Sequence, residues 1–185
     1  MTDPAAPGYA VRQRLIHWAM AILILPMVVA GFVMVQQGLP RGLQNGLFVF
    51  HKNVGVLLLL LAVLRIALRV AGPGPGPVPG LAPLQRRLAA ASHGLLCALI
   101  LLMPLSGYIR VRAGGFPIEA LDRLGLPTLV PRSDALANSA KLIHELGAYA
   151  LAGVLVLHLA AALYHLVILR DGVWARIWPP LGPRG

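Results

Sequence analysis

Histidines recur at helical spacing in the apolar parts of this sequence, and their side chains are the ones best suited to bind a cofactor or to transfer a proton. On the last apolar segment, His144, His158 and His165 are separated by fourteen and then seven residues. Fourteen residues of α-helix advance about 21 Å and return to within about 40° of the starting direction. An ionisable side chain inside a bilayer is costly and marks a cavity, a relay or a cofactor site. His144 and His158 therefore predict two sites on one helix, one near each membrane surface.

The other histidines divide between the same two depths. His51 begins the second apolar segment at the depth of His144, whereas His17 and His93 lie at the depth of His158. Helical bundles commonly bind a haem iron between two histidines on facing helices. We therefore expect one haem between His51 and His144, and a second one for which His17 with His158 is the best pair.

Small and basic residues accompany these histidines. Lys52 directly follows His51, and Arg65 lies fourteen residues after it, so both cations are candidate contacts of haem propionates through charge-assisted hydrogen bonds. Snorkelling to lipid phosphate is the alternative for both. Small residues near the pairs would leave room for a macrocycle, although they also mediate helix packing in membranes; they are Gly31, Gly55, Gly107, Gly147, Ala148, Ala161 and Ala162.

The composition requires that membrane helices position the histidines. Hydrophobic residues make up 58% and charged residues 12% of the 185-residue chain, whose mean hydropathy is +0.77. These values exclude a soluble domain and predict one integral membrane domain over 1–185. Four apolar runs, at about 15–35, 50–70, 88–109 and 142–169, can each cross about 30 Å of hydrocarbon. We expect an all-α, transmembrane four-helix bundle with two haem groups stacked across the bilayer.

The segments between the runs carry little chemistry. The Gly/Pro linker at 72–80 is expected to be an extended spacer. The connection at 110–141 is longer and contains a candidate amphipathic segment near 118–124. Cys97 has no cysteine partner and is read as a small core residue.

Other classes of site are disfavoured by what the sequence lacks. It contains no nucleotide-binding loop, no Ser-His-Asp order and no basic, aromatic surface for nucleic acid. A zinc site would need more ligands than each histidine group offers, and a proton relay would carry acidic residues within the spans. The net charge of +10 indicates contact with membrane lipid and no nucleic acid.

An even number of spans places both termini on one side. Nine basic residues lie on that side and seven on the other, so the positive-inside rule favours cytoplasmic termini. The three tryptophans, Trp18, Trp174 and Trp178, also lie on the side of the termini, as an interfacial belt would.

Four short motifs, taken together in order, resemble those of a known family. They are Arg-Leu-Ile-His-Trp at 14–18, His-Lys-Asn-Val-Gly at 51–55, His-Glu-Leu-Gly at 144–147 and His-Leu-Ala-Ala-Ala-Leu-Tyr-His at 158–165. Over about 13–179 the chain resembles the bacterial cytochrome b561 family of four-helix, di-haem membrane proteins. The resemblance implies two haem b groups, ligated by His17 with His158 and by His51 with His144. It also implies a multi-pass protein of the bacterial inner membrane.

The same resemblance implies electron transfer across the membrane in exchange with the quinone pool. Some members oxidise superoxide and reduce ubiquinone, so we expect an oxidoreductase of this kind. The side opposite the termini carries seven basic and four acidic residues. This excess of positive charge would steer a small anion towards that side. Two alternatives stay open. One is a cytochrome b membrane anchor passing electrons between quinone and a partner redox subunit, and the other is a haem-free transport or structural bundle.

Two histidines remain outside the expected ligand pairs. His93 and His165 match positions that often hold histidine in the family. For His93 we expect a hydrogen bond to a propionate or to the backbone. His165 is a candidate quinone contact, since quinone reduction consumes protons that a histidine can deliver. Either residue could also replace His17 or His158 as a haem ligand.

Overall fold

Four long α-helices and one short α-helix make up the fold of the described residues. The computed structural model describes residues 8–72, 74–76, 78 and 80–181. In chain order the helices are α1 (Val11–Val33), α2 (Arg41–Ala71), α3 (Pro83–Ala113), α4 (Glu119–Arg123) and α5 (Asp134–Tyr164). A π-helical turn (His165–Leu169) continues α5, and a 3-10 turn (Trp174–Arg176) follows it. The described residues form no β-strand, as expected of an all-α bundle.

The four long helices can each cross a membrane. At about 1.5 Å per residue, the 23 residues of α1 span about 35 Å and the 31 residues of α2 about 47 Å. Each long helix begins before the apolar run that predicted it, because polar residues continue the backbone hydrogen bonds ahead of the apolar segment. The difference is largest where α2 begins at Arg41 and α5 at Asp134, instead of near 50 and 142.

The long helices pack side by side in a bundle. Helix α3 packs along α5, α1 along α2, and α2 along α3. A small apolar core joins Ile16 and Met20 of α1 to Ala62 of α2. Many other apolar side chains face outward; Ile22 is 68% and Leu60 64% exposed. Water would penalise such a surface whereas lipid does not, so the exposed apolar residues indicate a bundle surrounded by lipid.

Polar contacts hold α4 against α2 and α3. The Lys52 Nζ lies 2.6 Å from a Glu119 carboxylate oxygen, and the Asn53 side chain donates to the other oxygen at 2.9 Å. Arg112 of α3 forms a second ion pair, of 2.6 Å, with Asp122. Helix α4 lies within the amphipathic segment predicted near 118–124. The contacts place it on the end of the bundle away from the termini.

The chain after α5 folds back across the end where the termini lie. Trp18 donates to the Ile177 carbonyl at 2.9 Å, and the buried Arg14 donates to the Pro179 carbonyl at 2.8 Å. The three tryptophans are in mutual contact, with ring centroids 5.2 to 6.4 Å apart. In the 72–80 linker, residues 73, 77 and 79 lie outside the described part. The described linker residues, 72, 74–76, 78 and 80, are not helical.

Candidate functional site

Each long helix carries two chemically distinctive residues fourteen positions apart. They are His17 and Gly31 on α1, His51 and Arg65 on α2, His93 and Gly107 on α3, and His144 and His158 on α5. Because neighbouring helices alternate in direction, these residues form two levels, separated by about 21 Å of helix rise. We call the level with His17, Arg65, His93 and His158 the terminal level, and the level with Gly31, His51, Gly107 and His144 the distal level.

Two facing imidazoles form the centre of the distal level. The rings of His51 and His144 have centroids 6.1 Å apart and an interplanar angle of 78°. The His144 Nδ1 lies 3.0 Å from the Met103 carbonyl oxygen and 3.1 Å from the Ser106 hydroxyl. Since a carbonyl can only accept, Nδ1 carries the proton and donates it, which leaves Nε2 free to bind a metal.

Two glycines make room for these rings. A Cβ atom on Gly31 would lie 3.1 Å from the His51 Cε1, and a Cβ atom on Gly107 would lie 3.1 Å from the His144 Cε1. Both distances are shorter than the usual carbon contact of about 3.5–4.0 Å. Of the small residues predicted from the sequence to leave room for a macrocycle, Gly31 and Gly107 therefore have a clear steric role beside the distal histidines.

A cavity of about 810 Å³ opens at the distal level. Both histidines and both glycines line it, and its volume falls within the range of cofactor sites, about 300–1,000 Å³. Its walls are mostly apolar, with polar side chains that include Lys52, Tyr108, Arg110, Lys141 and Glu145. The residues present fit a haem, because ligands, space and cations for propionates occur together.

Arg110 and Lys141 were not identified from the sequence as lining residues. A signal existed in the helical spacing, since Arg110 lies one turn after Gly107 and Lys141 one turn before His144. Lys52 also lines the cavity, but its ammonium group contacts Glu119 of α4. Lys52 therefore joins the cavity wall to α4.

The terminal level contains three histidines around one centre. The His158 ring centroid lies 6.4 Å from that of His17 and 5.7 Å from that of His93. Arg65 is close enough to act electrostatically on all three rings. The structure thus brings His17 and His158, the pair predicted from the sequence, to one level. His93 and the predicted basic residue Arg65 lie at the same level.

The ring separations leave room for a metal ion between each pair of imidazoles. With metal–nitrogen distances of about 2 Å and a ring centroid roughly 1 Å beyond each nitrogen, two imidazoles that would hold one metal ion between them need centroids about 6 Å apart. His51 with His144, at 6.1 Å, and His17 with His158, at 6.4 Å, both satisfy this condition. His93 with His158, at 5.7 Å, is close to it.

His165 stands apart from both levels. It begins the π-helical turn after α5, and its Nδ1 lies 2.6 Å from an Asp171 carboxylate oxygen. Asp171 was not predicted from the sequence as a partner of His165, because residues six positions apart on a regular α-helix point in different directions.

Comparisons with known proteins agree with this arrangement. The family model described as prokaryotic cytochrome b561 matches residues 8–180. Cytochrome b561 homolog 2 of Escherichia coli (strain K12) is 31% identical over 169 residues, covering 91% of this chain and 90% of that protein. The probable superoxide oxidase CybB of Yersinia pestis is 28% identical over 171 residues, covering 92% of this chain and 96% of that protein.

The family match settles the general class. It implies haem b, so the alternative of a haem-free transport or structural bundle is not supported. The four membrane-spanning helices agree with a multi-pass protein of a bacterial membrane. The chain therefore belongs to the prokaryotic cytochrome b561 family of membrane electron-transfer proteins.

Proposed function

We propose that the chain holds two haem b groups and carries electrons across the membrane between them. His51 and His144 would ligate one group, and His17 and His158 the other. The observation that carries this proposal is the pairing of facing imidazoles at both levels, at 6.1 and 6.4 Å. When bound, haem supplies the one-electron chemistry that protein side chains lack. The levels are about 21 Å apart by helix rise, so together they reach across most of the hydrocarbon layer.

The choice of His17 over His93 rests on the family motif at 14–18. His17 lies within that motif, whereas His93 lies outside the four motifs that carry the resemblance. Under this assignment, His93 and Arg65 are available as donors to propionate oxygens at the terminal level. The His93 ring on α3 lies beside that of His158, and Arg65 on α2 lies at the same level, which supports that role.

We propose superoxide as the electron donor and ubiquinone as the acceptor. Two superoxide anions yield two molecules of oxygen and two electrons, and ubiquinone takes up two electrons and two protons to form ubiquinol. Arg110 and Lys141 line the distal cavity and would attract a small anion. The name of the relative from Yersinia pestis supports this donor. In this scheme the terminal level faces the cytoplasm, and His165 is the quinone contact.

Haem stoichiometry tests the di-haem assignment. Purified protein should contain two haem b groups per chain and show low-spin b-type bands in a reduced-minus-oxidised spectrum. Substituting either distal histidine by alanine should remove one group. Substituting His17 or His158 should remove the other. His93→Ala is the matched control and should keep both; loss of the terminal haem from His93→Ala with its retention in His17→Ala would contradict the assignment.

The salt dependence of the reaction tests the proposed donor. Reduction of the purified protein by superoxide should slow as ionic strength rises, because ions screen the attraction between the anion and the basic cavity residues. Neutralising one of them in the Lys141→Gln variant should lower the rate at low salt and weaken its salt dependence. No reduction by superoxide, or a rate independent of salt, would contradict the proposal.

A further inference from the structure

A histidine–aspartate pair lies beyond the two levels, at the end of α5. The His165 Nδ1 is 2.6 Å from Asp171 Oδ2, and Asp171 Oδ1 accepts the Val173 N–H at 3.2 Å. Both carboxylate oxygens are therefore engaged, which fixes the carboxylate relative to the imidazole. The two side chains are 20% and 23% exposed, so the pair is shielded but within reach of a ligand.

The backbone departs from the α-helix where this pair forms. On a regular α-helix, residues six positions apart point about 120° away from each other. Here His165–Leu169 form a π turn, a feature that often occurs at functional sites. Arg170 then adopts the left-handed conformation with φ of 50°, and its N–H donates to the His165 carbonyl at 2.8 Å. The chain reverses, and this reversal brings Asp171 to His165.

The surroundings of His165 suit a ligand with a polar head and an apolar tail. Because a carboxylate only accepts, the Nδ1 of His165 carries a proton, and Nε2 remains available. Within the described residues, no hydrogen bond engages Nε2. The neighbouring Leu166, Val167 and Ile168 are 39%, 54% and 65% exposed, as lipid-facing residues are. A quinone, with a polar ring and an apolar isoprenoid tail, matches this combination.

The pair is also close to the terminal level along the helix. Seven residues separate His165 from His158, which is about 10 Å of helix rise on nearly the same face. A ring bound at His165 would therefore lie near the ligand of the terminal level. The aqueous surface on the side of the termini would supply its protons.

We propose that Asp171 is a positioning residue for proton delivery to a quinone and that it acts through His165. This inference rests on the proposed reduction of quinone. His165 donates a proton from Nε2 to a quinone oxygen, so that an O–H bond forms as the N–H bond breaks, and water then reprotonates Nε2. The other quinone oxygen takes its proton from the aqueous surface on the side of the termini, so that two protons balance the two electrons that the quinone accepts. Throughout, the Asp171 carboxylate keeps a proton on Nδ1 and holds the imidazole ring with Nε2 towards the quinone.

The test follows quinone-dependent reoxidation of the full-length, haem-loaded protein in lipid nanodiscs. The protein is first reduced and then mixed without oxygen with a short-chain ubiquinone. Asp171→Asn keeps the shape of the side chain but removes its charge; it should lower kcat by about tenfold or more with little change in KM, since the quinone contact remains. His165→Ala should slow reoxidation by on the order of 10².

Two further variants distinguish positioning from a structural role. Because Asp171 acts only through His165, the double variant that combines His165→Ala with Asp171→Asn should reoxidise about as slowly as His165→Ala alone. Asp171→Glu restores the carboxylate and should recover part of the rate. Asp134→Asn makes the same change at the opposite end of α5, away from this pair, and should behave as wild type. Normal rates in Asp171→Asn, or losses that add in the double variant, would overturn the inference.

An infrared spectrum of bound, carbonyl-labelled ubiquinone gives a readout independent of turnover. A hydrogen bond from Nε2 should shift one carbonyl band, and the shift should be absent in His165→Ala and weakened in Asp171→Asn. An unshifted band in the wild type would refute the contact. If quinone fails to reoxidise the wild-type protein, the proposed function fails with the inference. If it does so but Asp171→Asn is unaffected in both rate and band, only the inference fails.

Discussion

Replacing Gly107 by alanine should weaken the distal haem site while leaving α3 folded. The added Cβ would lie 3.1 Å from Cε1 and 3.4 Å from Nδ1 of His144. Normal carbon contacts begin at about 3.5 Å, so the imidazole must move by a few tenths of an ångström. That ring is also held by the Met103 carbonyl at 3.0 Å, so any movement disturbs a hydrogen bond that orients the ligand.

The expected size of the effect follows from the cost of overpacking. Crowding of this kind costs about 1–3 kcal/mol. At about 1.4 kcal/mol for each factor of ten, the distal haem should bind roughly 5- to 150-fold more weakly. Alanine also favours the helix over glycine by about 1 kcal/mol. This gain is present with and without haem, so it does not offset the loss of affinity.

The assay is transfer of haem from the protein to an excess of a haem-free acceptor, followed separately in the spectra of the two proposed haem groups. Gly94→Ala is the matched control on the same helix, because a Cβ at Gly94 would meet no atom within 4 Å. It should keep wild-type haem affinity. Equal haem transfer from the Gly107→Ala and Gly94→Ala variants would refute the conclusion that Gly107 clears space for the ring.

The remaining predictions concern α4 and Arg65. Partial burial opposes ionisation of Glu119, but hydrogen bonds from Lys52 and Asn53 outweigh it and hold the pKa of Glu119 below its ordinary value. The stabilisation of α4 is thus present above the unfolded pKa of about 4.3 and is lost as pH falls through the lower folded pKa. The protection of the α4 amides from hydrogen exchange, measured relative to the intrinsic exchange rate at each pH, should fall as pH drops from about 4.3 through the folded pKa. Glu119→Gln should show the reduced protection already at pH 7. Protection that does not change with pH in the wild type would contradict this. Arg65→Gln should lower the midpoint potential of the terminal haem alone, because a nearby cation favours the added electron; redox titration checks this, with Arg12→Gln as control, and an unchanged potential would contradict it.

Much of the architecture follows from features that are local in the sequence. Apolar runs long enough to cross the hydrocarbon layer predict the four helices, because lipid leaves few other backbone conformations. The fourteen-residue interval from His144 to His158 predicts two depths, since helical rise is nearly constant. The contact of His51 with His144 follows from depth alone, because no other histidines share that level.

Other features depend on tertiary structure or irregular backbone. Lys52 is held by Glu119, 67 positions away, and nothing in either local sequence indicates that contact. The pairing of His165 with Asp171 requires a π turn and a left-handed Arg170, which hydrophobic periodicity does not reveal. Helix ends also differ, because apolar content marks the hydrocarbon boundary and not the last hydrogen-bonded turn.

The fourteen-residue interval on the four long helices has a further consequence for insertion into the membrane. On α1 and α3, histidine stands at one level and glycine at the other, so the two levels cannot be exchanged. One level is open, with a cavity between its histidines, whereas the other is crowded by three imidazoles and a guanidinium. Inverted insertion would present the cavity to the opposite aqueous compartment. The topogenic signals in the loops therefore determine which solutes the redox centre can meet, and membrane topology becomes part of substrate selection.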